Sequence, residues 1–346
     1  MTALAIVISK VIAATLLAAI AEVVRRCSAR PHLTYGLWSS VLAVLVMPTL
    51  VVVPLPEQIA TRLETAIQTL PGLASAAPDI ASSPASDSRR SLEAVLGVAL
   101  RMGFVIWLAG CAVVYWRRNR FLRRIEQLVM LGADASASIR DRCSQLATEL
   151  RAGHGTRVVT AAGRFSPFLW HPIHGRASVV IPAALIARLS NESLDAVLRH
   201  ELIHLRRKDA WRRRVQFLVT TLWWWLPTAS LAGRRLLVLE EFCTDEEVIR
   251  ANPEYTREYA LALLDTEEFL AGVGCPTQFA VPAFTHGSFL RDRIQNIVAD
   301  QQAPIGPAGR AFAYGSAIAA LSLGLLTASF PATSDDGPLG ERQDSS

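Results

Sequence analysis

Long apolar runs alternate along the chain with segments that mix apolar, polar and charged residues. Four runs reach the roughly 20 residues that a helix needs to cross a bilayer. They are residues 3–24, 34–54, 93–116 and 311–330. One such run alone fits a buried core helix, but four in one chain predict a mainly α integral membrane protein with about four transmembrane helices.

The stretch between the third and fourth runs has a different pattern. Residues 117–152 repeat apolar positions at helical spacing with few Pro or Gly, which predicts two helices. Residues 156–182 are short β-branched or aromatic stretches broken by Pro and Gly, which predicts a small sheet. Helical periodicity then returns, and Ser190 followed by Ser193 marks a helix start. We therefore expect an α+β domain here.

The composition agrees with partial burial in lipid. Hydrophobic residues make up 51% of the chain and charged residues only 19%, below the roughly 25% that is usual in soluble domains. Such a chain is not disordered. The five cysteines are scattered without a CxxC pair, which favours reduced thiols over a disulfide framework.

The basic residues predict the orientation of the runs. Arg25, Arg26 and Arg30 follow the first run, and RRNRFLRR at 117–124 follows the third. Because Lys and Arg in short flanks favour the cytoplasmic side, both flanks should be cytoplasmic and the loop 55–92 external. The predicted organisation is three transmembrane helices in 1–116, a cytoplasmic domain in 117–309, a fourth transmembrane helix in 310–331, and a short disordered external tail in 332–346.

The first helix after the predicted sheet carries the sequence His200-Glu201-Leu202-Ile203-His204. Histidines at positions i and i+4 share one helix face, so both imidazoles can reach one metal ion. In HExxH helices the glutamate accepts a proton from the metal-bound water. The alternative is a pair of surface histidines on a polar helix face.

A third ligand is expected downstream, because catalytic zinc usually has three protein ligands and a water. The acidic stretch 239–247 places Glu241 and Asp245 on one helix face. One carboxylate could bind the metal while the other holds a ligand histidine by its second nitrogen. A solvated acidic helix face is the alternative.

Several segments together resemble a known family. HELIHLRRKD, then WWWLP, an RR pair, ExxxD at 241–245, YALALL at 259–264 and SFLRDRI at 288–294 are similar to the bacterial membrane metalloproteases of the BlaR/MecR antirepressor type. The resemblance covers most of the chain and implies a zincin-like (gluzincin) protease domain. It implies His200, His204 and Glu241 as zinc ligands, Glu201 as the catalytic base and Asp245 as a supporting residue, with Glu241 preferred over Glu240.

The resemblance also implies a setting: the bacterial inner membrane, a cytoplasmic repressor-like protein as substrate, and a sensor partner in the membrane. Two departures limit it. The order here is Cys243-Thr244-Asp245 where family members often read Ala-Cys-Asp, and we do not expect Cys243 to be a fourth ligand. Only 16 residues follow the fourth run, too few for a penicillin-binding sensor domain, so we expect no direct sensing of β-lactams by that route.

The apolar segment 217–233 poses a geometric problem. If it crossed the membrane, Glu241 and the two histidines would lie on opposite sides of the bilayer. We therefore expect it to dip back or to pack at the inner interface, which suits its three adjacent Trp and Pro227. A buried core helix end is the alternative.

Three smaller expectations concern single segments. Lys10, inside the first run, should extend to the outer interface. Val179–Ile181 should be the edge strand that binds an extended substrate. The arginines at 206, 207 and 212–214 should face lipid headgroups rather than nucleic acid.

The sequence predicts a membrane zinc endopeptidase that cleaves a cytoplasmic regulator. Two alternatives stay open: a membrane signal transducer or scaffold with a non-proteolytic zinc site, and a quality-control protease that cuts damaged membrane proteins.

Overall fold

The computed structural model describes residues 2–27, 30–47, 51–54, 85–271, 286–298, 315 and 326–329. Helices dominate these residues. The first two, α1 (Thr2–Cys27) and α2 (Pro31–Val46), pack against each other as a hairpin. Strand β1 (Val51–Pro54) follows, and α3 (Ala85–Leu131) comes next among the described residues.

Two helices of the described part are long and apolar enough to cross a membrane, Ile6–Arg26 within α1 and Gly97–Leu131 within α3. They match the first and third predicted runs. The predicted helix over 34–54 is wrong in its outer part, because the helical conformation ends at Val46 and residues 51–54 form a strand. At 16 residues, α2 is shorter than a typical spanning helix.

Most of the fourth predicted run, 311–330, lies outside the described residues. Its described end, Leu326–Ser329, is the strand β6, which pairs in parallel with β1. The two segments run in the same direction there. The predicted helix over 311–330 is therefore wrong for these four residues, which form a strand.

Helix α3 is longer than expected. Its 47 residues join the third predicted run to the first of the two helices predicted in 117–152. The sequence contains no Pro between 85 and 131, so nothing interrupts the backbone hydrogen bonds at the expected boundary. The second predicted helix is α4 (Ala137–Glu149).

A four-stranded sheet confirms the strand prediction for 156–182. It contains β2 (Ala133–Asp134), β3 (Arg157–Ala161), β4 (Phe168–Trp170) and β5 (Ser178–Pro182) in the order β2-β3-β5-β4. Strand β5 is parallel to β3 and antiparallel to β4, and all five of its residues are buried. The prediction that Val179–Ile181 form the edge is therefore wrong, and half-buried β4 is the edge strand.

The helices that follow position the candidate site. They are α5 (Ala183–Ile186), α6 (Asn191–Arg207), α7 (Asp209–Leu222), α8 (Pro227–Ala251), α9 (Thr256–Ala271) and α10 (His286–Val298). The side chain of Ser190 accepts a hydrogen bond from the Ser193 amide at 3.1 Å, which caps α6 where the sequence predicted its start. Lys208, in the left-handed conformation with φ 60°, separates α6 from α7.

Helix α8 packs into two separate hydrophobic cores. Its first half, through Leu236 and Leu239, packs with α1 and α2 around the fully buried Trp38. Its last turns, through Val248 and Ile249, pack into the core of the sheet and α6. The helix that carries Glu241 and Asp245 is thereby fixed both to the membrane hairpin and to the α+β domain.

Lys10 does not extend to the outer interface. It is buried, and its Nζ donates to the carbonyl oxygens of Val44, at 3.0 Å, and of Met47. These carbonyls lie at the end of α2, where a helix leaves its last acceptors unsatisfied. The predicted contact with the interface is wrong because Lys10 satisfies the end of its neighbouring helix instead.

Gly110 allows α3 to approach the turn between α7 and α8. A Cβ atom at this position would overlap the Trp224 indole. We expect Gly110→Ala to lower the stability of the chain by about 1–3 kcal/mol, because the indole must shift. Thermal unfolding in detergent micelles measures the effect. Gly103→Ala is the matched control, since a Cβ there meets nothing within 4 Å; equal unfolding temperatures for the two variants would contradict the packing.

Candidate metal centre

His200 and His204 lie on one face of α6, one turn apart, and both side chains are buried. Their Nε2 atoms face each other at 3.1 Å. This is the arrangement that the i, i+4 spacing predicts, and it directs two imidazole nitrogens toward one point.

Helix α8 adds the third group. The Oε2 atom of Glu241 is 3.3 Å from the Nε2 atom of His200, and Oε1 is 3.7 Å from the Nε2 atom of His204. One ligand atom from each residue lies within 4.8 Å of the other two. Two imidazole nitrogens and one carboxylate oxygen are the donor set of many catalytic zinc sites, so these residues fit a zinc ion.

A series of hydrogen bonds orients the His200 ring through its Nδ1 atom. Its Nδ1 atom is 2.7 Å from the Tyr259 hydroxyl, which donates to Oδ1 of Asp245. Burial and the nearby Asp245 carboxylate raise the pKa of Tyr259 well above its usual value, so the hydroxyl keeps its proton. The Tyr259 oxygen then accepts from Nδ1–H of His200, which leaves the Nε2 lone pair for a metal.

Asp245 therefore lies close to His200 without being its direct partner. The Oδ1 atom of Asp245 is 3.6 Å from Nδ1 of His200, and Tyr259 bridges the two. The sequence pointed to a carboxylate behind a ligand histidine but not to the tyrosine between them. The YALALL segment was the available signal, since its first residue is Tyr259.

Asp209 performs the corresponding role for His204. Its Oδ2 atom lies 2.8 Å from Nδ1 of His204, because the left-handed Lys208 turns the chain back toward α6. Burial lowers the pKa of His204, but the hydrogen bond to Asp209 and the charges of Glu241 and Glu201 outweigh it and raise the pKa to about 8. The sequence analysis did not single out Asp209, although it ends the HELIHLRRKD segment.

A second group of candidate ligands, His204, Asp209 and Glu240, does not fit a metal ion. Nδ1 of His204 is already engaged by Asp209. Arg213 donates to Glu240 through Nε at 2.8 Å, and Arg207 and Arg212 pair with Asp209. Three guanidinium groups already neutralise the two carboxylates, so a divalent cation would add excess positive charge.

The adjacent residues Glu240 and Glu241 differ in environment. Glu240 is fully buried against Arg213, and burial raises its pKa. Burial also opposes ionisation of Glu241, but the hydrogen bond to His200 and the charges of His204 and Arg293 hold the pKa of Glu241 well below its usual value. Glu241 is thus the ionised carboxylate that faces both Nε2 atoms.

Arg293 on α10 joins the network from the far side. Its Nε and Nη2 atoms donate to the two oxygens of Asp245 at 2.8 and 2.6 Å, and Nη1 is 3.6 Å from Glu241. Such a bidentate pair fixes the orientation of the carboxylate. The SFLRDRI segment contains Arg293, but its role depends on packing that the sequence does not reveal.

Glu201 is buried, with 4% of its surface exposed, beside the two histidines. Its negative charge acts on His204. Among the described residues, none forms a hydrogen bond or ion pair with the Glu201 carboxylate. It is therefore free to accept a proton.

Two further expectations can be compared with the structure. Cys243 is buried on α8, and burial raises the pKa of its thiol to about 12. It belongs to neither group of described residues whose ligand atoms lie close enough together to hold a metal ion. The arginines of the predicted lipid-facing basic cluster all form contacts within the protein: Arg206 and Arg207 with Glu247, Arg212 with Asp209, Arg213 with Glu240, and Arg214 with the His171 carbonyl. Their contact with lipid headgroups stays a prediction.

The contact between Tyr259 and His200 predicts an effect on metal affinity. We expect Tyr259→Phe to weaken zinc binding about 10–100-fold, because His200 loses the partner that orients its ring. Titration against a competing chelator measures this affinity. Tyr255→Phe is the matched control, since Tyr255 is exposed and packs under Arg199 instead. Equal zinc affinities for both variants would refute the supporting role of Tyr259.

The chain was compared with known proteins. The family model described as BlaR1 peptidase M56 matches residues 1–297. The match therefore includes the N-terminal hairpin, α3, the sheet and all of the residues around the candidate metal centre. No curated protein matches the chain.

Proposed function

The chain belongs to the BlaR1 peptidase M56 family of membrane metallopeptidases, and on that premise we propose that it is an integral membrane zinc endopeptidase. The observation that carries the proposal is the triangle of the buried His200 and His204 with the half-buried Glu241, with an unpaired Glu201 beside it. A merely structural zinc site would not need this free carboxylate.

A zinc ion held by His200, His204 and Glu241 would supply Lewis-acid polarisation of a water molecule and of the scissile carbonyl. The chain itself supplies the proton transfer. The Glu201 carboxylate accepts a proton from the attacking water and later donates it to the leaving amine nitrogen. Tyr259 and Asp209 keep the two imidazole rings oriented by their Nδ1 atoms.

The substrate peptide lies along β4 in this proposal. Strand β4 (Phe168–Trp170) is the edge of the sheet on the side of β5, and it contacts α6, the helix of the two histidines. An extended peptide that pairs with an edge strand presents its bonds in fixed register. This arrangement, a mixed sheet with an edge strand beside an HExxH helix, supports a zincin-like fold.

The protease domain faces the cytoplasm in this proposal, and the chain is a multi-pass protein of the bacterial inner membrane. Arg25 and Arg26 end α1, and a cluster of arginines follows the apolar part of α3 at 117–124. The positive-inside rule then puts both flanks, and the domain that follows α3, on the cytoplasmic side.

The proposed substrate is a cytoplasmic transcriptional repressor, cut in response to a signal that reaches the chain through a membrane sensor partner. The test compares new protein N-termini in cells that carry the wild-type chain or its Glu201→Gln variant. We expect one DNA-binding protein to be cut only with the wild type. Cuts in many membrane proteins would support the quality-control function instead. An identical set of N-termini under inducing stresses would refute the endopeptidase proposal.

A further inference from the structure

Helix α7 carries a stripe of large apolar side chains that the described residues leave exposed. The members of this α7 stripe are Trp211, Val215, Leu218 and Leu222 on the helix and Trp225 in the turn before α8. The four on the helix are spaced by four, three and four residues, so they share one helix face. A contiguous exposed apolar face on one helix marks an interaction surface.

The second half of α7 lies antiparallel beside the transmembrane helix α3. The indole Nε1 of Trp107 donates to the Leu222 carbonyl at 2.9 Å. One helical turn further along α3, the Cys111 thiol donates to the Thr221 carbonyl at 3.4 Å. Near the end of the apolar run, Arg118 donates to the Phe217 carbonyl at 3.1 Å. The contacts follow one another in reverse order along the two helices.

These contacts also satisfy carbonyl groups at the end of α7 that would otherwise be unpaired in lipid. The last carbonyls of a helix have no intrahelical partners, and hydrocarbon offers no water to bind them. Leu222 and Thr221, in the last turn of α7, each receive a donor from α3. Phe217 lies further from the helix end, and its carbonyl accepts from Arg118 in addition to its hydrogen bond within α7. Trp224 in the turn donates in return to the Trp107 carbonyl at 3.2 Å.

The position of Trp107 sets the depth. The apolar part of α3 ends at Arg117, ten residues after Trp107. At 1.5 Å per residue, Trp107 lies about 15 Å inside the bilayer, near the middle of a hydrocarbon core about 30 Å thick. The end of α7 is in contact with Trp107 and therefore lies at the same depth.

We propose that α7 and the turn Trp223–Trp225 form a re-entrant segment in the inner leaflet, with the α7 stripe in contact with phospholipid acyl chains. The stripe is continuous with the apolar surface of α3, where large side chains such as Phe104, Val105 and Leu108 are exposed. Lipid covers both surfaces at once, whereas a protein partner would have to cover α7 beside a lipid-facing helix. The inference goes beyond peptide hydrolysis and rests on the membrane setting of the proposed function.

The insertion places the metal centre at the membrane surface. Arg213, one turn before Phe217 on α7, is 3.6 Å from Glu241. The Arg118 contact with Phe217 marks the inner edge of the bilayer, and Arg213 lies about 6 Å from it along α7. The Glu241 carboxylate, which the Arg213 guanidinium contacts, therefore lies close to this edge. Peptide bonds are therefore cut at the level of the lipid headgroups, which favours substrates that approach the membrane surface.

Cysteine labelling of the full chain in lipid nanodiscs tests the insertion. Leu218→Cys on α7 is compared with Leu264→Cys on α9, using a charged, membrane-impermeant maleimide. Labelling is measured at the substituted residue by peptide mass spectrometry, so native cysteines do not contribute. In the protein alone Leu218 is the more exposed, 57% against 44%. We expect Leu218→Cys to react at least about tenfold more slowly, because its thiol lies in lipid without water.

Both variants should label equally after denaturation in SDS. Equal labelling in nanodiscs would overturn the proposal.

A second measurement needs no substitution: a phospholipid with a diazirine at the end of its acyl chain is photolysed in nanodiscs with the unmodified chain. We expect adducts in the tryptic peptide 215–234 as well as in α3; adducts in α3 alone would overturn the insertion. Neither readout depends on catalysis, so peptidase activity measured on the same samples separates this outcome from failure of the proposed function.

Discussion

Glu201→Gln should reduce peptide hydrolysis by about 10²–10⁴-fold while zinc stays bound. The side chain is buried beside His200 and His204 but is not part of the triangle with Glu241. Glutamine has nearly the same shape and cannot accept the proton of the attacking water. The measurements are the rate of cleavage of a peptide substrate and the zinc content of the purified chain.

Glu192→Gln is the matched control, since Glu192 is an exposed glutamate in the first turn of the same helix. It should leave both activity and zinc content unchanged. Two results would contradict the role of Glu201. Full activity of Glu201→Gln would exclude it as the proton acceptor, and loss of zinc would make it a ligand instead.

Glu241→Gln should lower zinc affinity by at least about 100-fold, more than the loss of a supporting residue usually costs, and hydrolysis should disappear with the metal. The reason is electrostatic as well as geometric. The low pKa of Glu241 shows that the site favours its negative charge, and the amide of glutamine carries none. Removing zinc from the wild type with a chelator should cause the same loss, and added zinc should restore activity only in the wild type.

Glu240→Gln offers a control one residue away. Glu240 accepts its hydrogen bonds from Arg213, and a glutamine oxygen can still accept them. Burial disfavours the negative charge of Glu240 and raises its pKa, the opposite of what the site does to Glu241. We expect near-normal zinc affinity. If Glu240→Gln lost zinc and Glu241→Gln kept it, the assignment of the third ligand would have to be exchanged.

The residues on one helix were predictable because helical spacing alone determines them. His200 and His204 are four residues apart on α6, and this spacing directs both side chains toward one point. The start of that helix at Ser190 also follows from local hydrogen bonding. The grouping of Glu241 with these histidines came from the family resemblance, since spacing along α8 left Asp245 equally eligible.

The outer contacts could not be predicted, because they depend on the packing of distant segments. Tyr259 lies 59 residues from His200, and Arg293 lies 48 residues from Asp245. The edge strand was misassigned for a related reason. A short apolar run such as Val179–Ile181 fits a central strand as well as an edge strand, and only the pairing with both β3 and β4 decides between them.

The proposed re-entrant segment shows the same limit of hydropathy. Residues 217–233 are apolar enough for a core helix, an interfacial bend or a span. The proposal rests on the turn at Trp223–Trp225 and on the contacts of α7 with α3, and neither is visible in composition.

The uninterrupted length of α3 has a mechanical consequence. At 1.5 Å per residue its 47 residues make a stiff strut about 70 Å long. Its inner end reaches the sheet, where the Gly132 amide bonds to the Leu128 carbonyl and β2 begins one residue later. Because no proline provides a hinge, a change of tilt by about 10° around the bilayer midplane would displace Leu131 by about 6 Å. A change in bilayer thickness that tilts α3 would therefore also move the peptidase domain at its inner end.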